Sequence, residues 1–386
     1  MSYDGFHMRH FQHLSDESLE VLVLRLSLAE RSGILPTQLS AVMVALLAKE
    51  KGGFRPIGIF PSVYRLWGRA RRPLAEAWEA RFPRDYWAAG RHRGAMDCVW
   101  RQTFRSEAGV RKGDYSATVL WDMFKYYELI DLEALELRAQ RHNFPLGVLN
   151  ICLAACRSAR YMCLSGIISG PLRATHGVIA GCSMATTLIR VYALDAFDTV
   201  PRSMSLRSTE LDDSEFSSFD AYIDDTSLLA IGYRLFVLWS IVNMASLLLA
   251  GIRQLLGSKV AIDKVAFVCS SISLGHQLEA ELGPCSVLGA SAVNRTGRGR
   301  MKKRKDRNVK MLRKARRLKR IKAHFGRKAV KVFTSGPMPG YIYGCEVQGL
   351  TDGEVHGLRR VAASVLKPSA AKRSLTVLSR LEGDPV

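Results

Sequence analysis

Two adjacent acids, Asp224 and Asp225, lie between segments that both favour strand, Glu215 to Tyr222 before them and Thr226 to Ile231 after. That pattern predicts a β-hairpin with the acid pair at its turn. Carboxylates held together in a partly buried turn repel each other, so one keeps its proton unless a cation stands between them. A divalent ion removes the conflict, and hard oxygen ligands suit magnesium. The chain carries its own contrast: Asp212-Asp213 is also an acid pair, but it falls in the serine-rich polar stretch Arg202 to Ser214, where water would screen it.

A third carboxylate fits the same arrangement. Thr118 to Trp121 reads as a short apolar strand, and Asp122 comes where it stops. Carboxylates at neighbouring strand ends that bridge two metal ions can support an in-line phosphoryl transfer. On the residues alone, that arrangement and a purely structural one both stay open.

Charge narrows the partner. The 56 Lys and Arg against 35 Asp and Glu leave a net charge of +21, which favours a polyanion, with nucleic acid first and an anionic membrane surface a weaker choice. Hydrophobic residues make up 48% of the 386, enough to bury a core in two or three domains. The eight cysteines form no Cys-x-x-Cys pair and suggest neither a zinc site nor a disulfide framework, so a reducing compartment is expected. Cys152 and Cys156 fit the buried face of a helix. The start, Met1 to Gly5, does not read as a secretory signal. Leu235 to Ile252 is uncharged and meets the minimum length of a membrane span, but a buried core helix is the expected reading and no membrane partner is anticipated.

The coarse pattern gives helices over 14–32, 62–82, 129–143, 150–160 and 183–200. It gives a hairpin from the run 40–48 through a turn at 50–53 to the strand 54–60, and a strand over Val260 to Cys269 that carries Lys264. From Arg295 to Lys331 the chain is dense in Lys and Arg, with Leu312, Ala315, Leu318, Ile321 and Phe325 at helical spacing, as in a basic helix with one apolar stripe.

These motifs fall in a known order. Tyr222-Ile223-Asp224-Asp225 resembles the Tyr-x-Asp-Asp motif of reverse transcriptases. Asp122-Met123-Phe124-Lys125-Tyr126-Tyr127-Glu128 resembles the family's first catalytic motif, and Tyr86 to Asp97 the segment just before it. Gly177 to Met184 resembles the glycine turn between the two acid motifs, and Lys49 with Gly52 to Ile57 the fingers hairpin. Val287-Leu288-Gly289 resembles the primer-grip turn, and Tyr341 to Glu346 a box found after the thumb in polymerases of non-LTR retrotransposons. The resemblance spans residues 35 to 350, and the collinear succession carries it rather than any one motif.

The resemblance implies an α+β right-hand polymerase fold: an N-terminal helical extension over 1–34, fingers over 35–116, a palm of antiparallel sheet and helices over 117–293, and a basic helical thumb with the C-terminal region over 294–386. It implies an RNA-directed DNA polymerase that takes an RNA template, a DNA primer and deoxynucleoside triphosphates. Asp122, Asp224 and Asp225 would be ligands of two Mg2+ ions. Arg55, with Lys49, would meet the incoming triphosphate, and Gly181 would belong to the nucleotide-contacting set. Tyr127 would be the aromatic gate against a ribose 2′-hydroxyl, and Lys264 the proton donor to pyrophosphate. The residues themselves also allow a surface arginine at 55, a core aromatic at 127, a solvated lysine at 264, and a nuclear-import signal in the run 298–320; nucleus and cytoplasm are the expected locations. Ala180 stands where many relatives carry a glutamine, and no endonuclease, RNase H acid cluster or zinc knuckle is read. A catalytically silent nucleic-acid-binding remnant of a retroelement is the alternative, and an RNA-directed RNA polymerase a third reading that Tyr127 disfavours.

Overall fold

The computed structural model describes residues 2–49, 52–90, 93–205, 215–283, 286–289, 307–318, 320, 328–342 and 350–366. The chain forms two compact units, one from residues 1–90 and 114–289, the other from residues 91–113 and 290–386. The architecture is α+β.

The first unit starts with helix α1 (Asp16–Ser32), capped by the Ser15 hydroxyl and ended by Gly33 in the left-handed conformation. Strands β1 (Ala41–Ala48) and β2 (Phe54–Ile59) form the expected hairpin. Helix α2 (Ser62–Arg81) follows, tied to α1 where Arg71 and the Trp67 indole both donate to Glu30. Helix α3 (Ala95–Lys112) belongs to the second unit. The chain then returns as β3 (Tyr115–Asp122), the short α4 (Tyr126–Leu129), α5 (Leu132–Arg141), α6 (Leu146–Arg157), β4 (Ala159–Leu164) and β5 (Ile167–Ile168). After it come α7 (Ala185–Phe197), α8 (Thr199–Ser205), β6 (Phe216–Tyr222), β7 (Asp225–Gly232), α9 (Arg234–Gln254), β8 (Ala266–Cys269), α10 (Ile272–Leu282) and β9 (Ser286–Gly289).

Two sheets result, a four-stranded one in the order β2-β1-β4-β5 and a five-stranded one in the order β6-β7-β3-β8-β9. In the second, only the β8–β9 pair is parallel. Ala117, Val119, Leu228, Ala230 and Phe267 on one face of that sheet are buried in the core they share with α7 and α9. The apolar run 235–252 is α9: Val237, Ile241, Met244, Ala245, Leu248 and Ile252 recur at helical spacing on its buried side. By length and composition the same helix is apolar enough to cross a membrane.

In the second unit, residues 307–318 form helix α11, followed by α12 (Lys328–Ser335), α13 (Pro337–Ile342) and α14 (Asp352–Leu366). They close a small core of Met311, Ala315, Leu318, Phe333, Tyr341, Leu358, Ala362 and Val365. The apolar stripe of the basic helix therefore begins at Met311, with Leu312 only half-buried, because the stripe is set by its partners on α12 to α14. Ile321, Phe325, Asp212, Asp213 and residues 343–349 lie outside the described residues.

Three expected elements differ. The helix placed over 150–160 runs from Leu146 to Arg157, because Pro145 opens it and Ser158 turns extended; Arg160 belongs to β4, which pairs in parallel with β1. The helix placed over 129–143 is split, since the Asp131 carboxylate caps a new start by accepting from the Glu133 and Ala134 amides. The strand placed over Val260 to Cys269 begins only at Ala266. Lys264 sits on a 3-10 turn, Ile262–Lys264, after the Ala261 amide has donated to the Asp122 carbonyl at 2.8 Å.

Candidate active site

The β6–β7 hairpin closes in two residues, Ile223 and Asp224, with Tyr222 paired to Asp225. Ile223 has φ +64°, in the left-handed region at the first central position of the turn, where a glycine is the usual occupant. A β-branched residue there carries backbone strain of about 1–2 kcal/mol. The half-buried Ile223 side chain packs against the core, which offsets it.

Strand β3 runs antiparallel beside β7, in a register that sets Asp122 opposite Asp225. The Met123 amide donates to the Asp224 carbonyl at 3.2 Å, which fixes the turn to the end of β3. The face that bears these two acids carries Leu120 and Val268, 38% and 37% exposed, so this end of the sheet opens to solvent. Lys264 is ion-paired with Asp122 from the other side.

The electrostatics follow from this crowding. Burial, then the charges of Asp224 and Asp122, push the Asp225 carboxyl up to about 6, against the pull of Lys264. Burial also raises Asp224, together with Asp122; a backbone hydrogen bond, Lys264 and Arg55 oppose the rise. Arg55, exposed on β2, thus acts electrostatically on Asp224 although 169 residues separate the two in sequence. Lys49 is exposed at the tip of the same hairpin, where its amide donates to the Gly53 carbonyl.

Tyr127 stands between the acids and the glycine turn. Its carbonyl accepts from the Val178 amide at 2.9 Å. Its hydroxyl is pushed up to about 12 by burial and then by Asp224, Tyr222 and Cys182. Gly181 is placed differently, against the β1–β2 hairpin: a Cβ on Gly181 would lie 2.3 Å from the Gly58 carbonyl oxygen. The Gly58 amide donates to Ala180 at 2.6 Å, so two glycines let two backbones touch and lock the hairpin to the turn.

The structure therefore gathers Asp122, Asp224, Asp225 and Lys264, brings Arg55 and Tyr127 within electrostatic reach, and puts Lys49 and Gly181 in the hairpin and its anchor. Phe124 and Tyr126 make the first acid motif bulky, but sequence reasoning did not foresee their surroundings. Phe124 is partly exposed with the Lys125 and Lys259 ammonium groups 5.3 and 5.1 Å from its ring centre. Tyr126 is buried, with no hydrogen-bond partner for its hydroxyl among the described residues. It also missed an anchor: Arg84 donates twice to Asp198, at 2.7 Å each, and the Tyr86 hydroxyl donates to the same carboxylate at 2.7 Å. This holds the segment 86–88, which hydrogen-bonds along β6 at Ala221.

Asp122 and Asp225 face each other with Asp224 at the adjoining turn, and the raised affinity of Asp224 and Asp225 for protons is a conflict that a hard divalent ion would relieve. Among the described residues, no three His, Cys, Asp or Glu side chains converge as ligands would.

Comparison with protein-family models gives no match, and comparison with curated proteins gives none. Among solved structures, the chain is similar to apo telomerase from Candida tropicalis truncated from its C-terminal domain, at 12% identity and a TM-score of 0.45, over 61% of this chain and 51% of that one. It is also similar to telomerase from Candida albicans in complex with a TWJ fragment of telomeric RNA, at 11% identity and a TM-score of 0.44, over 90% of this chain and 66% of that one. The chain thus spans about half the length of the first and 66% of the second.

Proposed function

We propose that the chain is the polymerase core of a reverse transcriptase, an RNA-directed DNA polymerase of the kind found in non-LTR retrotransposons. The observation that carries this reading is the register of β3 and β7, which sets Asp122 opposite Asp225 with Asp224 at the adjoining turn. In this reading the β1–β2 hairpin belongs to the fingers, the five-stranded sheet is the palm and the basic α11 belongs to the thumb. The substrates are an RNA template, a DNA primer and deoxynucleoside triphosphates; the site of action is the nucleus and cytoplasm.

Asp122, Asp224 and Asp225 would hold two magnesium ions, which supply charge neutralisation at the attacking 3′-hydroxyl and the leaving pyrophosphate. Arg55 binds the triphosphate as a charge and hydrogen-bond donor. The Tyr127 ring excludes a ribose 2′-hydroxyl and so favours deoxynucleotides. Lys264 holds a proton at Nζ beside Asp122 and is the candidate donor to the departing pyrophosphate. The basic helix binds backbone phosphates without reading sequence.

One observation favours a second reading, a catalytically silent nucleic-acid-binding remnant: the Lys264 ammonium already neutralises Asp122. Primer extension on an RNA template with deoxynucleotides separates the two. Magnesium-dependent product supports the polymerase; tight, salt-sensitive template binding without product supports the remnant.

A further inference from the structure

Helix α1 has two apolar sides. At about 100° per residue, Leu19, Leu22, Leu26 and Ala29 lie about 140–160° around the helix from Leu24. That side is turned inward, where Ala29 is buried in the core and Leu26 packs against it. Val21 and Leu28 lie within about 60° of Leu24, on the opposite side. Val21 is 53%, Leu24 65% and Leu28 63% exposed, so the packing of the described residues leaves this second stripe open.

The charges on the outer face narrow what can cover it. Within about 60° of Leu24 lie the exposed acids Glu17 and Glu20 and the exposed base Arg31. Such a face gives nucleic acid or an anionic membrane no net attraction, although the chain as a whole carries +21. The same charges are ordered to match themselves. Glu17 and Arg31 stand seven residues before and seven after Leu24. A two-fold axis at Leu24, with the helices antiparallel, sets Glu17 of each copy level with Arg31 of the other. Val21 then comes within about 1.5 Å, measured along the helix, of Leu28 of the second copy, and Leu24 meets its own equivalent. Glu20 falls within one turn of the same arginine. It lies beyond the first turn of α1, so the dipole of its own helix does not account for it. A parallel pair would oppose Glu17 to Glu17 and Arg31 to Arg31.

We propose that α1 is a homodimer interface, in which two copies of the chain pair antiparallel through Val21, Leu24 and Leu28, with Glu17 and Arg31 closing both ends. This inference does not depend on the polymerase reading. One helix pair is a small contact, so the dimer exchanges reversibly with the monomer.

Sedimentation velocity of the full chain without nucleic acid, across a micromolar concentration range, tests this. The wild type should move from the mass of one chain toward that of two. Leu24→Glu sets two acids against each other at the two-fold and should weaken dimerisation about tenfold or more. Val23→Glu is the control: Val23 is 59% exposed but lies about 100° from Leu24, so the dimer should persist. Glu17→Arg alone and Arg31→Glu alone each oppose like charges twice per dimer and should weaken it severalfold at low salt. The two combined should restore wild-type dimerisation, since every pair is again of opposite sign. Circular dichroism checks that each variant keeps its helix content; if Leu24→Glu does not fold, the charge series decides. A wild type that stays a single chain throughout would overturn the proposal and leave the stripe to a different protein. A dimer that Leu24→Glu leaves intact, or that Val23→Glu disrupts equally, would overturn it too. A charge-swapped double variant as weak as the single ones would overturn the antiparallel pairing.

Discussion

Asp122, the last residue of β3, faces Asp225, the first residue of β7, across a pair of antiparallel strands. Two acids in that register, with Asp224 beside them, work against the fold, and the Lys264 ammonium paired with Asp122 offsets only part of that repulsion. Asp225→Asn should therefore raise the melting temperature while abolishing nucleotide incorporation. Solvent still reaches part of Asp225 and screens the repulsion, so the gain should be on the order of 1 kcal/mol or less. Differential scanning calorimetry reads it directly; a clear drop in stability would show that Asp225 is held by favourable contacts rather than by crowding.

Ile223 adopts φ +64° in the turn that carries Asp224. Ile223→Gly relieves that strain but removes a half-buried side chain. The two effects oppose each other, so the net loss should be about 1 kcal/mol, less than the 2–5 kcal/mol typical of deleting a buried isoleucine side chain. Urea denaturation measures it, and a loss above about 3 kcal/mol would mean that packing, not backbone geometry, dominates the turn.

The Gly58 backbone leaves no room for a side chain on Gly181, and the Ile179 side chain leaves none on Gly58. Gly181→Ala adds a Cβ 2.3 Å from a carbonyl oxygen at φ +113°, and should cost about 3 kcal/mol. Hydrogen exchange at the Gly58 amide, which donates to Ala180, should accelerate by orders of magnitude more than exchange in β3. Equal acceleration in both would show that the hairpin and the central sheet open together.

Acid should loosen the anchor of residues 84–88. Burial alone would raise the Asp198 pKa, but the hydrogen bonds from Arg84 and Tyr86 and the Arg84 charge prevail and hold it below its ordinary value. The stabilisation is complete above the unfolded carboxylate's pKa of about 3.9 and fades as pH falls through the lower folded value. Asp198→Asn should cost about 3 kcal/mol near neutrality, because it strips a buried carboxylate from Arg84, and should weaken the dependence of stability on pH below about 4. Thermal melts across that range test both; an unaltered acid slope in the variant would remove Asp198 from the account.

Much of the site was legible because its signals are local. The strand-prone flanks of Asp224-Asp225 and the apolar run ending at Asp122 need only a few neighbours to be read. Other features depend on partners distant in sequence. The strand β4 was hidden because its parallel partner β1 lies more than a hundred residues earlier, and its first residues read equally well as the end of α6. The turn at Lys264 was hidden because a hydrogen bond to Asp122 draws the chain out of strand geometry. The resemblance puts Gly181 in a nucleotide-contacting set, while its close approach to Gly58 shows only in the fold. The positive φ of Ile223 ran against residue preference, and only tertiary packing sustains it.

The most direct test of the central claim is magnesium-dependent incorporation of a single deoxynucleotide on an RNA template and DNA primer, comparing the wild type with Asp224→Asn at equal template occupancy. The account predicts product with the wild type and a loss of several orders of magnitude in the variant, with binding retained. Equal incorporation by both proteins, or none by a wild type that binds template and primer, would contradict it.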